Sequence, residues 1–155
     1  MQAHCNADDK RLAACADCAG FGNIPGAQVA AQAMYQTWAD VVYSAAGGSF
    51  NGSFPVAATM QKWAIGVDSD QFNTVPNAEW KKYILSSMVK RVDSAVFGAV
   101  KEFKDTGKIT SKAFSLKDGG VDYSTSGGFV DDIKAKIDGY KTKINNGEIT
   151  VSETA

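Results

Sequence analysis

Apolar and polar positions follow two different rhythms along this chain. Val92, Ala95, Val96, Ala99, Val100 and Phe103 recur at helical spacing, with Lys101, Glu102 and Lys104 outside the stripe. This predicts an amphipathic helix over residues 92–104. Val130, Ile133, Ile137, Tyr140 and Ile144 share one face of a second helix, over residues 131–145. Asp131 and Asp132 suit its positive end, and Gly147 stops it. "PGAQVAAQAMYQ" over residues 25–36 begins with proline and continues with good helix formers. Phe54, Ala57, Ala58 and Met60 give near-helical spacing within residues 52–62, with Pro55 in the first turn.

The other rhythm is a continuous apolar run without alternation, as expected of a strand covered on both faces. "VVY" is such a run. "WAIGV" and "YILSSMV" follow as further strands, and strands are predicted near residues 41–44, 64–67 and 84–87. "NAEWKK" over residues 77–82 reads as a short helix or turn. Residues 112–121 read as an extended segment, and "EITV" over residues 148–151 as a last short strand. Alternating helices and strands imply an α/β fold, a parallel sheet flanked by helices with right-handed crossovers.

Composition narrows the function. The chain has 155 residues and is 45% hydrophobic, enough for one domain with a core. Sixteen basic residues against 17 acidic ones leave no basic excess of the kind a nucleic-acid surface needs. No apolar run approaches the ~18–20 residues of a membrane span. All three cysteines and the only histidine fall within residues 1–20. Cys15 and Cys18 have C-x-x-C spacing, but His4 and Cys5 are adjacent, which suits a tetrahedral zinc site poorly. "LAAC" at residues 12–15 has the form of a lipoprotein cleavage box. Asp8, Asp9, Lys10 and Arg11 stand where a signal needs ~7–15 apolar residues, so no working signal peptide is read there. Residues 1–20 are expected to be a poorly ordered tail. No metal, cofactor or catalytic group is assigned.

Candidate chemistry lies at the strand ends. In open parallel sheets, ligands bind beyond the carboxyl ends of the strands. Gly47 and Gly48 follow the first predicted strand, Asp68 and Asp70 the second, and Lys90 the third. Asp70 also suits a helix N-cap or turn. Lys90 stands at a helix start, against the dipole, which argues for an anion such as Asp68 nearby. Trp63 and Trp80 are expected to pack in the core.

"ADVVYSAAGGSFNG", "AIGVDSDQ", "SSMVKRVDSAV" and "LKDGGVDYSTSGG" resemble, in the same order, motifs of the basic membrane protein family. These are substrate-binding lipoproteins of bacterial ABC importers that capture purine nucleosides, and they have the two-lobed type I periplasmic-binding-protein fold. The resemblance covers residues 21–151 and implies the second, C-terminal lobe, with residues 152–155 a tail. It implies that Asp68 and Lys90 hold the ribose hydroxyls and that Gly47 and Gly48 line the cleft. Phe21 lies near an aromatic position of the family, although the stretch after it reads "GNIPGAQ" here, so Phe21 and Asp70 are secondary candidates. The resemblance also implies ABC importer membrane subunits as partners and an extracytoplasmic, membrane-anchored lipoprotein.

Family members are about twice this length, so the first lobe and the strand opening the second are expected to be missing. Ser49 and Phe50 stand where the family often has threonine-glycine. One wall of a cleft alone is expected to bind weakly and to self-associate through its exposed surface. Two readings compete with a partial binding protein. One is a truncated fragment without function. The other is a magnesium-dependent phosphatase, since "VDSDQ" has the D-x-D form in which two carboxylates share nucleophile and acid–base roles. Gln71 departs from that pattern.

Overall fold

The computed structural model describes residues 21–152. The tail expected over residues 1–20, the zinc reading of His4, Cys5, Cys15 and Cys18, and the cleavage box lie outside the described residues.

Helix α1, Ile24–Gln36, is capped by Asn23, whose side-chain oxygen accepts from the Gly26 N–H at 2.8 Å. Proline in its first turn requires no donor there. Strand β1, Val41–Tyr43, runs into a 3₁₀ segment, Gly47–Gly52, and then helix α2, Ser53–Met60. Strand β2 is Trp63–Asp68. Two one-turn helices follow, α3 at Gln71–Thr74 and α4 at Ala78–Lys81, the second capped by Asn77. Strand β3 is Ile84–Lys90, helix α5 Val92–Thr106, strand β4 Val121–Tyr123 and helix α6 Lys134–Asn145.

The sheet order is β1-β2-β3-β4. The first three strands are parallel, as the alternation of helices and strands predicts, with Val42 opposite Ala64 and Gly66 opposite Ser87. Their carboxyl ends therefore share one edge. Strand β4 is antiparallel to β3, pairing Tyr123 with Met88, so the sheet is mixed. The core lies on the side of α1 and α2. Ala31 and Tyr35 of α1 and Phe54 and Ala57 of α2 pack with Val42, Ala64 and Ile84 of the strands. Tyr35 donates its hydroxyl to the Trp63 carbonyl at 2.8 Å, and burial raises its phenol well above the ordinary value. Trp80 packs against this core, and Trp63 against Phe129 at 5.0 Å between ring centres.

Several local expectations differ from the structure. Residues 112–121 include a run of turns before β4 begins at Val121. "EITV" forms no strand, because the chain bends after α6 and meets no sheet edge. Helix α6 starts at Lys134, so Asp131 and Asp132 lie in the turns before it. Gly127 and Gly128 both take left-handed φ, at 90° and 73°, and keep this approach non-helical. Helix α5 forms where its periodicity predicts, but its stripe does not enter a core. Val92, Val96, Val100 and Phe103 are all more than half exposed, and the helix buries no residue fully.

Candidate functional site

Asp68 is the last residue of β2, and its backbone has φ 69°, a left-handed conformation that costs an L-residue about 1–2 kcal/mol. Such strain at a strand end is a pointer to function. Its carboxylate Oδ1 lies 2.7 Å from Nζ of Lys90, the last residue of β3. The register explains the meeting: Asp68 sits opposite Val89, so Lys90 reaches back diagonally across the sheet edge. The hydrogen bond to Asp68, and then its charge, raise the Lys90 ammonium above its ordinary value. Both side chains remain about half exposed, so a ligand can reach the pair.

Tyr43 ends β1 on the same edge. Burial pushes its phenol up, Lys90 pulls it down and Asp68 pushes it up again. Tyr43 is thus electrostatically coupled to both members of the pair. Sequence reasoning treated it only as a β-former. The available signal was its position, since it closes the first of three parallel strands as Asp68 and Lys90 close the next two.

Gly47 opens the 3₁₀ segment at φ 51°. A Cβ there would lie 3.0 Å from the Phe21 ring, so glycine lets Phe21 pack against the turn. A Cβ on Gly48 would lie 3.4 Å from the Phe21 carbonyl. Phe21 and the glycine pair are therefore one unit, and the Phe21 side of it is 55% exposed. The 3₁₀ segment touches β2, the strand that carries Asp68.

Asp70 is engaged elsewhere. Its Oδ2 accepts from the Ser126 hydroxyl and from Nδ2 of Asn73 at 2.7 Å, tying the β2–α3 junction to the loop after β4. Its Oδ1 is buried without a hydrogen-bond partner among the described residues. Gln71 continues this junction. Its N–H donates to the buried Ser87 hydroxyl at 3.0 Å, and its Nε2 donates to the Val67 carbonyl at 2.9 Å. The two carboxylates of "VDSDQ" thus have separate partners, Lys90 for one and Ser126 with Asn73 for the other.

Residues 20–155 match the family described as ABC transporter substrate-binding protein PnrA-like, or Bmp. The chain is similar to the CD4+ T-cell-stimulating antigen of Listeria monocytogenes, with 35% identity covering 86% of this chain and 41% of that protein. It is also similar to the ABC transporter nucleoside-binding protein BmpA of Lactococcus lactis, with 33% identity covering 84% of this chain and 41% of that one. The chain therefore spans about two-fifths of the length of these curated relatives. Among solved structures, a transcriptional activator of the comK gene from Bacillus halodurans superposes with TM-score 0.71 at 21% identity, covering 85% of this chain and 46% of the other. An ABC transporter solute-binding protein from Conexibacter woesei gives 0.65 at 16%, covering 85% and 43%. At these identities the likeness concerns the fold alone: an α/β unit of the kind found in solute-binding proteins.

Proposed function

The chain belongs to the Bmp family of PnrA-like ABC transporter substrate-binding proteins, and on that premise we propose that its strand-end edge binds the ribose of a purine nucleoside. The observation that carries this reading is the half-exposed Asp68–Lys90 pair, held at 2.7 Å with Asp68 in a left-handed backbone. Vicinal hydroxyls both donate and accept. A carboxylate beside an ammonium offers the complementary set, and charge-assisted hydrogen bonds are the stronger kind. Gly47 and Gly48 let Phe21 pack against the turn, and the exposed ring of Phe21 offers a flat apolar surface to a base. Asp70 serves as a clasp that sets the end of β2. The nucleoside-binding relative from Lactococcus lactis supports nucleoside as the ligand class.

The reading extends to partners and place. The chain would work outside the cytoplasm, as a membrane-anchored lipoprotein, and deliver ligand to the membrane subunits of an ABC importer. Among the described residues no helix is long and apolar enough to cross a membrane. Enzymatic turnover is not part of this function.

Affinity follows from how much of the ligand is covered. A closed site buries most of a ligand's surface. A micromolar ligand is held by about 8 kcal/mol, and one wall supplying half of that leaves a Kd near 1 mM. Titration of the chain with adenosine, guanosine and inosine, followed by amide chemical shifts, tests this. Saturable millimolar shifts at Asp68, Lys90 and Gly47 are expected. No shift at these residues with any nucleoside at saturating concentration overturns the ribose reading.

A further inference from the structure

Asp68 keeps its left-handed backbone inside a turn of a single residue. The Ser69 N–H donates to the Val67 carbonyl at 2.8 Å, closing over Asp68 at φ 69°. This is a γ-turn of the rare and strained kind. Some other contact must offset that strain. The ion pair to Lys90 is about half exposed on both sides, and exposed pairs contribute little. The neighbouring Asp70 carboxylate is engaged with Ser126 and Asn73.

Gln71 reaches both sides of the turn. It is 5% exposed, and its Nε2 donates to the Val67 carbonyl at 2.9 Å and to the Ser69 hydroxyl at 3.0 Å, the residues before and after Asp68. Its Oε1 accepts from the Thr74 hydroxyl at 3.0 Å, and its backbone N–H donates to the buried Ser87 hydroxyl at 3.0 Å. Both donors of the carboxamide therefore serve the turn, and the acceptor fixes the carboxamide to α3. The sheet leaves room for this side chain. A Cβ on Gly66 would collide with Cβ and Cγ of Gln71 and lie 2.8 Å from Ser87 Oγ. A buried polar group with its partners in place is a rigid one.

We infer that Gln71 is the positioning residue of the strand-end edge: its carboxamide holds Val67 and Ser69 together and so keeps the Asp68 carboxylate turned toward Lys90 and the ligand. Gln71 acts through Asp68 and is not itself a ligand group. Its hold on the turn does not depend on what the ligand is, whereas its effect on binding rests on the ribose reading above.

Nuclear magnetic resonance of the full chain and its variants tests the inference. A left-handed φ brings the amide and α protons of one residue close together, so Asp68 should give a strong intraresidue cross-peak in the wild type. Gln71→Met keeps the length of the side chain and loses its donors. It should lose that cross-peak, and adenosine affinity, read from shifts at Lys90 and Gly47, should fall about tenfold, the scale of one misplaced charge-assisted hydrogen bond. Tyr35→Phe removes a different buried hydrogen bond, to the Trp63 carbonyl at the start of β2, and controls for lost stability. It should keep the cross-peak and the affinity. If Gln71→Met does not fold, Thr74→Val takes its place. That exposed substitution frees the carboxamide oxygen without touching the turn, and should weaken the cross-peak and the affinity in smaller measure. A cross-peak weak in the wild type, or unchanged in the variant tested, overturns the inference. So does a Tyr35→Phe variant that loses as much as Gln71→Met. Absence of adenosine shifts in the wild type would overturn the ribose reading instead, and the cross-peak alone would then decide the role of Gln71.

Discussion

Lys90 Nζ stands 2.7 Å from Asp68 Oδ1 across the carboxyl ends of two adjacent parallel strands, and Asp68 pays for its position with a left-handed backbone at φ 69°. The chain therefore keeps an aspartate where glycine would sit without strain. A side chain retained against backbone preference argues that the carboxylate, not the turn, is what the position requires.

The first prediction separates those two roles. Asp68→Gly relieves ~1–2 kcal/mol of left-handed strain and loses about 0.5–1 kcal/mol through the flexibility of the unfolded chain. Its ion pair is half exposed and contributes little. Urea denaturation should thus find Asp68→Gly within about 1 kcal/mol of wild type, and Asp68→Val clearly less stable. A loss above about 2 kcal/mol for the glycine variant would mean that the strain reading is wrong.

Ligand binding should respond differently to the same residue. Asp68→Ala removes charge-assisted hydrogen bonds worth on the order of 1.5–3 kcal/mol each, so nucleoside affinity should fall at least about tenfold. Asp68→Asn keeps an accepting oxygen and should fall less. Chemical-shift titrations of the three proteins with adenosine compare them directly, and equal affinities would remove Asp68 from the ribose site.

Gly47→Ala should cost about 1–2 kcal/mol, because φ 51° is left-handed and disfavours an added Cβ. The new methyl would also meet the Phe21 ring at 3.0 Å and move it. The expected readout is a lower denaturation midpoint together with altered Phe21 ring resonances. Stability unchanged with the ring undisturbed would refute the packing described here.

Much of this arrangement was legible in the sequence, for physical reasons. Three short β-prone runs in series with helices between them give the parallel β1-β2-β3 edge, although cover on both faces, expected for Val41–Tyr43, is not what forms: the core lies on the α1 and α2 side and Val41 and Tyr43 stay half-buried. Once the edge is fixed, Asp68 and Lys90 must lie on it. What was not legible depended on partners rather than patterns. The three residues of β4 lie among turns and gain their strand character from pairing with Met88, Val89 and Lys90. The stripe on α5 gives the direction of its apolar face around the helix, but periodicity carries no information on what that face meets. Tyr43 acquires meaning only from its neighbours across the sheet.

Acid should loosen the packing of α6 against β4 before it unfolds the core. Burial pushes Asp122 up, but the Lys141 ammonium at 2.7 Å and the Tyr123 N–H outweigh it and hold the carboxyl below the usual range. Lys134 and the Tyr123 hydroxyl lower Asp138 likewise. A depressed carboxylate stabilises the fold above its unfolded pKa of about 3.9 and loses that contribution as pH falls through its folded value. The contact should therefore be insensitive to pH above about 5 and weaken below about 4. Amide exchange at Val121–Tyr123 should quicken in that window, and the double variant Asp122→Asn, Asp138→Asn should exchange fast at neutral pH as well. Protection unchanged in the double variant would show that these charges do not hold α6.

Ser126→Ala tests whether Asp70 is a clasp or a ligand group. Asp70 Oδ2 takes hydrogen bonds from Ser126 and Asn73, and its Oδ1 is already buried without a partner among the described residues. Removing the Ser126 hydroxyl leaves the carboxylate with a single side-chain donor in a partly buried place, at a cost of about 1–3 kcal/mol. As a clasp, Asp70 acts only by fixing the β2–α3 junction, so Asp70→Asn should resemble Ser126→Ala in stability, and the double variant should cost no more than the larger single one. Nucleoside affinity should follow the fraction folded in all three. An Asp70→Asn variant that folds as well as wild type yet loses nucleoside shifts at Asp68 and Lys90 would instead put Asp70 in the ligand site.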